Sequence, residues 1–241
     1  MSLSAATSTS LRTWDVANRL RVWRKMGANV PKPFLSLGGR PLILHTLSRF
    51  ATSQVRKLVL VAAASDISKY PALIQLDPQL GGLEFVFQAG GHRRQDSVRH
   101  GLSRLDPDCG VVVIHDGARP FVAPEIIDRC VEAAFREGAV VVGVPVSSTV
   151  KVVSSDRYVR ETPPRESLWE IQTPQAFRTE IIREAFQKAT AKDEEVTDDA
   201  TLVERLGKRV ALLEGHRTNI KITVPEDLLF AEALLRGGLV P

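Results

Sequence analysis

Gly110-Val111-Val112-Val113-Ile114-His115-Asp116-Gly117-Ala118-Arg119-Pro120 is the stretch that decides the fold. Its β-branched run has no polar position, which marks a strand buried on both faces of a parallel sheet. Open α/β sheets bind ligands at the carboxyl ends of such strands. There the chain sets the Asp116 carboxylate, then Gly117, which lets a ligand approach the backbone, then the Arg119 guanidinium and the strand-ending Pro120. A carboxylate and an arginine at that edge suit a magnesium-bound nucleotide beside a second, phosphorylated substrate. Asp-x-x-Arg alone would equally be a solvated turn with a surface ion pair; the strand before it and the motifs below favour a site.

Working outward, Lys57 to Ala63, Leu83 to Phe87 and Ala139 to Val144 read as further strands. Helical patterns lie between them at Pro41 to Thr52, Arg94 to Leu105 and Pro124 to Glu137, with Asp96 or a neighbour as a cap and Pro124 in a first turn. This alternation predicts an α/β fold, a Rossmann-like, mostly parallel sheet with helices on both faces. The rhythm breaks after Val144. Thr149 to Val153 and Arg157 to Arg160 are short extended runs around the turn signal Ser154-Ser155-Asp156, a hairpin too polar for the core. Because exposed strand edges are usually covered, residues 147–165 are expected to form a projecting β-arm that pairs with a second subunit in a homodimer. Helices are expected again at Thr179 to Thr190, Thr197 to Leu206 and Pro225 to Arg236. With no internal repeat, residues 1–241 read as one domain, 1–13 being a disordered tail.

Composition narrows the function classes. The formal charge is only +4 and aromatic residues make up 6%, with no long Lys/Arg block, which argues against nucleic-acid binding and for small anions. No apolar run approaches the roughly 20 residues of a membrane span, and Met1 to Thr13 lacks a signal-peptide core. Cys109 and Cys130 read as reduced thiols, which implies a cytoplasmic protein. No histidine has metal-like spacing, and His115, ending a buried strand, reads as a hydrogen-bonded residue rather than a catalytic one.

Six motifs occur in order: Pro31-Lys32-Pro33-Phe34, Gly90-Gly91-His92-Arg93-Arg94-Gln95-Asp96-Ser97-Val98, His115 to Pro120, Pro145 to Lys151, Arg165 through Trp169 to Gln172-Thr173-Pro174-Gln175, and Asn219-Ile220-Lys221-Ile222-Thr223 with Pro225-Glu226-Asp227. Together they resemble the 2-C-methyl-D-erythritol 4-phosphate cytidylyltransferase family of the non-mevalonate isoprenoid pathway, from about Met26 to Ala233. The resemblance implies transfer of CMP from CTP to 2-C-methyl-D-erythritol 4-phosphate, giving a CDP-alcohol and pyrophosphate, with Mg2+ as cofactor. It implies catalytic cations at Lys25, Lys32 and Lys221. It implies CTP binding by Gly90, Gly91, Arg94, Ser97 and Asp116, the last also the metal ligand. The acceptor pocket it implies comprises Gly117, Arg119, Thr149, Arg165 and Thr173, with the arm completing the neighbouring subunit's pocket. Reactions of this type need positioning and positive charge more than a covalent catalyst.

The chain departs from the family in one place. The family opens with an apolar strand and Pro-Ala-Ala-Gly-x-Gly, a backbone cradle for phosphates. Here Thr13-Trp14-Asp15-Val16-Ala17 and Asn18-Arg19-Leu20-Arg21-Val22-Trp23 stand in those positions, so Arg21 and Trp23 replace the two glycines. Read from the third base of the Asn18 codon, the codons of Arg19 to Trp23 can encode Pro-Ala-Ala-Gly and then Leu, Val or Met, so two compensating single-base shifts would account for the change. The alternatives are a ribitol 5-phosphate cytidylyltransferase on the same scaffold, or a dimeric homologue that has lost nucleotide binding.

Overall fold

The computed structural model describes residues 13–18, 31–192, 196 and 198–240. The strands are β1 (Thr13–Asn18), β2 (Ser36–Leu37), β3 (Arg40–Pro41), β4 (Lys57–Ala62), β5 (Glu84–Ala89), β6 (Val111–Asp116), β7 (Ala139–Pro145), β8 (Val152–Val153), β9 (Val159–Glu161), β10 (Trp169–Arg178) and β11 (Ala211–Glu214). The helices are α1 (Leu42–Ala51), α2 (Tyr70–Gln75), α3 (Arg94–Leu102), α4 (Pro124–Glu137), α5 (Thr179–Lys192), α6 (Ala200–Glu204) and α7 (Pro225–Arg236). Seven strands form one sheet in the order β11-β7-β10-β6-β1-β4-β5. All its pairings are parallel except those of β10, which runs antiparallel to both β6 and β7.

The period of two in the strands divides the core. Val111 and Val113 of β6, with Leu58 and Leu60 of β4, face α1 and α4. Val112 and Ile114, with Val59 and Val61, face α3, α5 and α6. Helices therefore cover both faces, and the inner runs of β4 and β6 are apolar because neither of their faces meets water. Helix α4 shows how the local sequence fits: Pro124 opens it, Glu125 lies in its first turn, Arg136 in its last, and Gly138 at φ 92° stops it. Its buried Ile126, Ile127 and Val131 each contribute about 1.5–3 kcal/mol relative to exposure. A third cluster of Leu37, Leu42, Phe121, Ile222, Ala231 and Leu234 ties α7 and the β2–β3 turn to the loop after β6.

Several elements depart from the sequence reading. The strand β10 was not expected; it carries the Gln172-Thr173-Pro174-Gln175 motif into the middle of the sheet, with a register shift between Ile171 and Gln175. Strand β11 and helix α2 were also missed. Helix α6 is shorter than the pattern suggested, because Asp198 Oδ1 accepts the Thr201 N–H at 3.0 Å and starts the helix late. The cap of α3 is as expected: Arg93, a neighbour of Asp96, is the N-cap, and the Asp96 carboxylate, at the third helical position, accepts the Arg93 N–H at 3.1 Å. The arm is a hairpin of β8 and β9, shorter than expected, that forms its own two-stranded sheet. Thr13 belongs to β1 and not to the expected tail; β1 pairs with β4 and β6 in the middle of the sheet, Asn18 opposite Asp116. Arg21, Trp23 and Lys25 lie outside the described residues.

Candidate active site

Six parallel strands, β5, β4, β1, β6, β7 and β11, end at one sheet edge, and the candidate site lies there. Asp116 is the last residue of β6. Its Oδ2 lies 2.8 Å from Lys221 Nζ and 3.7 Å from Arg119 Nε. Burial alone would raise the Asp116 carboxyl, but Lys221, Arg94 and Arg119 overcome it and hold it at about 2. The carboxylate is therefore ionised throughout the neutral range.

The loop after β6 is fixed from several sides. Arg119 N–H donates to Asp116 O at 2.9 Å, closing a turn, and Thr46 of α1 donates to Gly117 O at 2.9 Å. Arg119 is 8% exposed and donates to Asn219 O at 2.7 Å, while its Nε, ion-paired with Asp116, makes no hydrogen bond. Burial lowers the Arg119 pKa, yet a guanidinium stays charged in proteins. Lys221 is held by its neighbour, since Ile222 is buried and its N–H donates to Ala118 O at 2.9 Å.

Thr173 reaches this point from β10. Its Oγ1 accepts the Asp116 N–H at 3.0 Å and lies 3.1 Å from His115 Nδ1. His115 is fully buried, which drops its pKa to about 4. Around it, Asn219 donates to Gln172 Oε1 at 3.0 Å and to Thr173 O at 2.9 Å. Gln175 donates to Asp198 at 3.1 Å. These buried polar side chains bond to one another, which offsets the cost of placing them beneath a site, though Asn219 Oδ1 makes no hydrogen bond among the described residues.

Arg94, the first residue of α3, makes two bonds to Asp199, at 2.9 and 2.6 Å. Burial opposes the Arg94 charge and the Asp199 carboxylate more than restores it, raising the Arg94 pKa. Burial, with Asp116 and Asp198 nearby, holds Asp199 above the usual carboxylate range despite Arg94.

Arg94, Asp116, Arg119, Thr173 and Lys221 thus line one hollow of about 450 Å³ that also meets Gln172, Gln175 and Asp198. The other expected residues stand apart. Lys32 is buried and donates to Ile222 O at 3.0 Å and Thr223 O at 3.2 Å, so it clamps the segment that carries Lys221. Gly90 and Gly91 follow β5 at the same edge; Gly90 donates to Ala62 O at 2.8 Å, and a Cβ on Gly91 would meet Asp96 Cβ at 2.3 Å. Ser97 is fully buried, and its Oγ accepts the Gly91 N–H at 3.1 Å and lies 3.3 Å from Arg93 O. Thr149 and Arg165 are exposed at the base of the arm, where Arg165 donates to Ser147 O at 3.0 Å. Asp198, Asp199, Gln172, Gln175 and Asn219 were not singled out as site residues. The adjacent pair Asp198-Asp199 was the one available signal, since a buried arginine in the Gly-Gly loop motif requires a carboxylate partner.

A family model described as 2-C-methyl-D-erythritol 4-phosphate cytidylyltransferase matches residues 22–237. A curated relative of that name from Caldanaerobacter subterraneus subsp. tengcongensis is 42% identical over 212 residues, covering 88% of this chain and 93% of its own. Another from Bacillus velezensis is 45% identical over 216 residues, covering 89% and 91%. Among solved structures, 4-diphosphocytidyl-2C-methyl-D-erythritol synthase from Anaerococcus prevotii aligns with a TM-score of 0.81 at 30% identity, over 93% of this chain and 96% of its own. The 2-C-methyl-D-erythritol 4-phosphate cytidylyltransferase of Thermus thermophilus aligns with a TM-score of 0.74 at 37% identity, over 93% and 98%.

Proposed function

Since the chain belongs to the 2-C-methyl-D-erythritol 4-phosphate cytidylyltransferase family, we propose that the hollow beside Asp116 joins CTP to 2-C-methyl-D-erythritol 4-phosphate and releases pyrophosphate. The observation that carries this reading is the convergence of Lys221 and Arg119 on Asp116 at one sheet edge, with Thr173 beside them. An oxygen of the acceptor phosphate attacks the α-phosphorus in line, and two anions must approach while charge builds on the bridging oxygens. Fixed cations already aimed at that point lower the barrier without reorganising. Lys221 and Arg119 supply them, and Lys32 acts on the α-phosphate region through its charge and through its hold on the Lys221 segment.

The wall of the hollow has three cations, Arg94, Arg119 and Lys221, set against Asp116, Asp198 and Glu204. It is therefore near neutral, and a triphosphate needs more positive charge than it offers. Two sources fit. The sequence has Arg19, Arg21, Arg24 and Lys25 between β1 and Lys32. Magnesium is the other: Asp116 offers one carboxylate, and among the described residues no group of three acidic, His or Cys side chains could hold a metal unaided. That donor set suits an ion carried chiefly by nucleotide phosphates and water, with Asp116 as its protein ligand. When bound, the ion would neutralise triphosphate charge.

Gly90 and Gly91 lie three strands from β6, about 14 Å at ordinary strand spacing, a span suited to an extended nucleotide. In this reading they face the cytosine and ribose, Ser97 holding the Gly91 amide in place and Arg94 standing beside them. The arm carries Thr149 and Arg165 to the acceptor phosphate of a partner subunit. Support comes from Val153, Tyr158 and Val159, which are 53%, 73% and 59% exposed, an apolar surface that a second copy would cover. The test is pyrophosphate release with CTP, magnesium and methylerythritol phosphate, with ribitol 5-phosphate in a parallel arm. Turnover of the first acceptor is expected; turnover of ribitol phosphate alone, or of neither, overturns the reading.

A further inference from the structure

We propose that His115 is a positioning residue that makes Thr173 a hydrogen-bond acceptor toward the hollow, so that Thr173 reads a hydroxyl of the acceptor substrate and not its phosphate. This rests on the reaction proposed above and goes one step beyond it, to which part of the substrate meets which side chain.

Each hydrogen bond around His115 has a direction fixed by its donor and acceptor. His115 Nε2 lies 3.2 Å from Arg119 O, and a carbonyl can only accept, so Nε2 carries a proton. The ring is fully buried, with the Phe50 ring edge-on at 5.3 Å and no carboxylate bonded to it. It is therefore neutral, and Nδ1 is the bare nitrogen. Nδ1 lies 3.1 Å from Thr173 Oγ1, so the threonine O–H donates to it. The same oxygen accepts the Asp116 N–H at 3.0 Å, and an amide can only donate.

A threonine hydroxyl has one hydrogen and two lone pairs. The hydrogen and one lone pair are engaged; the remaining lone pair is what Thr173 can offer the hollow it lines. A lone pair attracts an alcohol O–H and repels a phosphate oxygen. The phosphate is thereby directed to guanidinium groups, of which Arg119 has a buried Nε that makes no hydrogen bond and faces Asp116 at 3.7 Å. His115 also fixes the Arg119 turn from behind, so one ring sets both the hydroxyl-reading and the phosphate-reading group.

The side-chain geometry supplies the test. In His115→Asn the amide oxygen stands where Nδ1 stood and still accepts from Thr173. His115→Gln reaches only Arg119 O, and His115→Phe does neither. In the full-length enzyme, His115→Phe and His115→Gln are expected to raise KM for the acceptor about tenfold, the worth of one ordinary hydrogen bond, with a much smaller change in KM for CTP. His115→Asn should recover most of that loss. Adding Thr173→Val to His115→Phe should cost no more than the worse single change. Equal losses for Asn and Phe, equal shifts in both KM values, or a multiplicative double variant would overturn the proposal. A long-range proton–nitrogen NMR spectrum of the wild-type protein tests the relay without any variant or turnover: a protonated Nε2 and bare Nδ1 are expected, and a proton on Nδ1 refutes it. An inactive wild type with the expected tautomer would sink the reaction and leave the relay standing.

Discussion

Replacing Asp199 by asparagine keeps the shape of the side chain and removes its charge. Asp199 is fully buried, and its two bonds to Arg94 are 2.9 and 2.6 Å long. Removing one partner of a buried pair typically costs about 3–5 kcal/mol, because the other charge is left uncompensated. The Arg94 side chain is 26% exposed, so water relieves part of that cost. We therefore expect Asp199→Asn to lose about 2–3 kcal/mol, which lowers Tm by about 4–12 °C in a chain of this size. Thermal unfolding followed by circular dichroism reads this directly. The pair Arg94→Met with Asp199→Leu should be less destabilising than Asp199→Asn, since no charge remains buried. A drop under about 1 °C for Asp199→Asn, or a double variant worse than the single, would refute the reasoning.

Three further outcomes follow from particular contacts. Gly91→Ala places a Cβ 2.3 Å from Asp96 Cβ and must displace the start of α3; a loss of about 1–3 kcal/mol in urea unfolding is expected, with weaker CTP binding by calorimetry. Joint substitution of Arg21→Gly and Trp23→Gly should tighten CTP binding if that stretch holds phosphates; unchanged or weaker affinity would count against a phosphate role for it. If the arm pairs two copies as proposed, Val153→Asp with Val159→Asp puts charge on its exposed face and should shift sedimentation from dimer toward monomer, with a fall in turnover if the arm completes the partner's pocket; an unchanged sedimentation coefficient would count against the arm's role.

The strands that decide the fold were legible because burial on both faces leaves an unbroken apolar run, as at Val111 to Ile114. Helices α4 and α7 were legible to the residue, since proline opens each and glycine follows each. Strand β10 was hidden by its own composition. Pro174 argues against a central strand, and Gln172, Thr173 and Gln175 are polar yet buried, because their partners come from Asn219, His115 and Asp198. The edge strand β11 is half-exposed and too short to show a period. In the site, Asp116, Arg119, Lys221, Thr173 and Arg94 stood out in the sequence and share one hollow. The carboxylate that pairs Arg94 lies 105 positions away, a pairing that only the folded chain brings together. Lys32 shows the converse: a motif identifies it, but its bonds to Ile222 O and Thr223 O are invisible without the fold.

The claim beneath the whole account is that positive charge held at the end of β6 lets two anions react. Replacing Lys221 by methionine removes the charge nearest Asp116 and leaves the buried core untouched, since Lys221 is exposed. Its kcat/KM for pyrophosphate release should fall by about 10²–10³, the usual effect of losing one preorganised charge donor, with the circular-dichroism spectrum preserved. A value within about threefold of wild type would contradict the account.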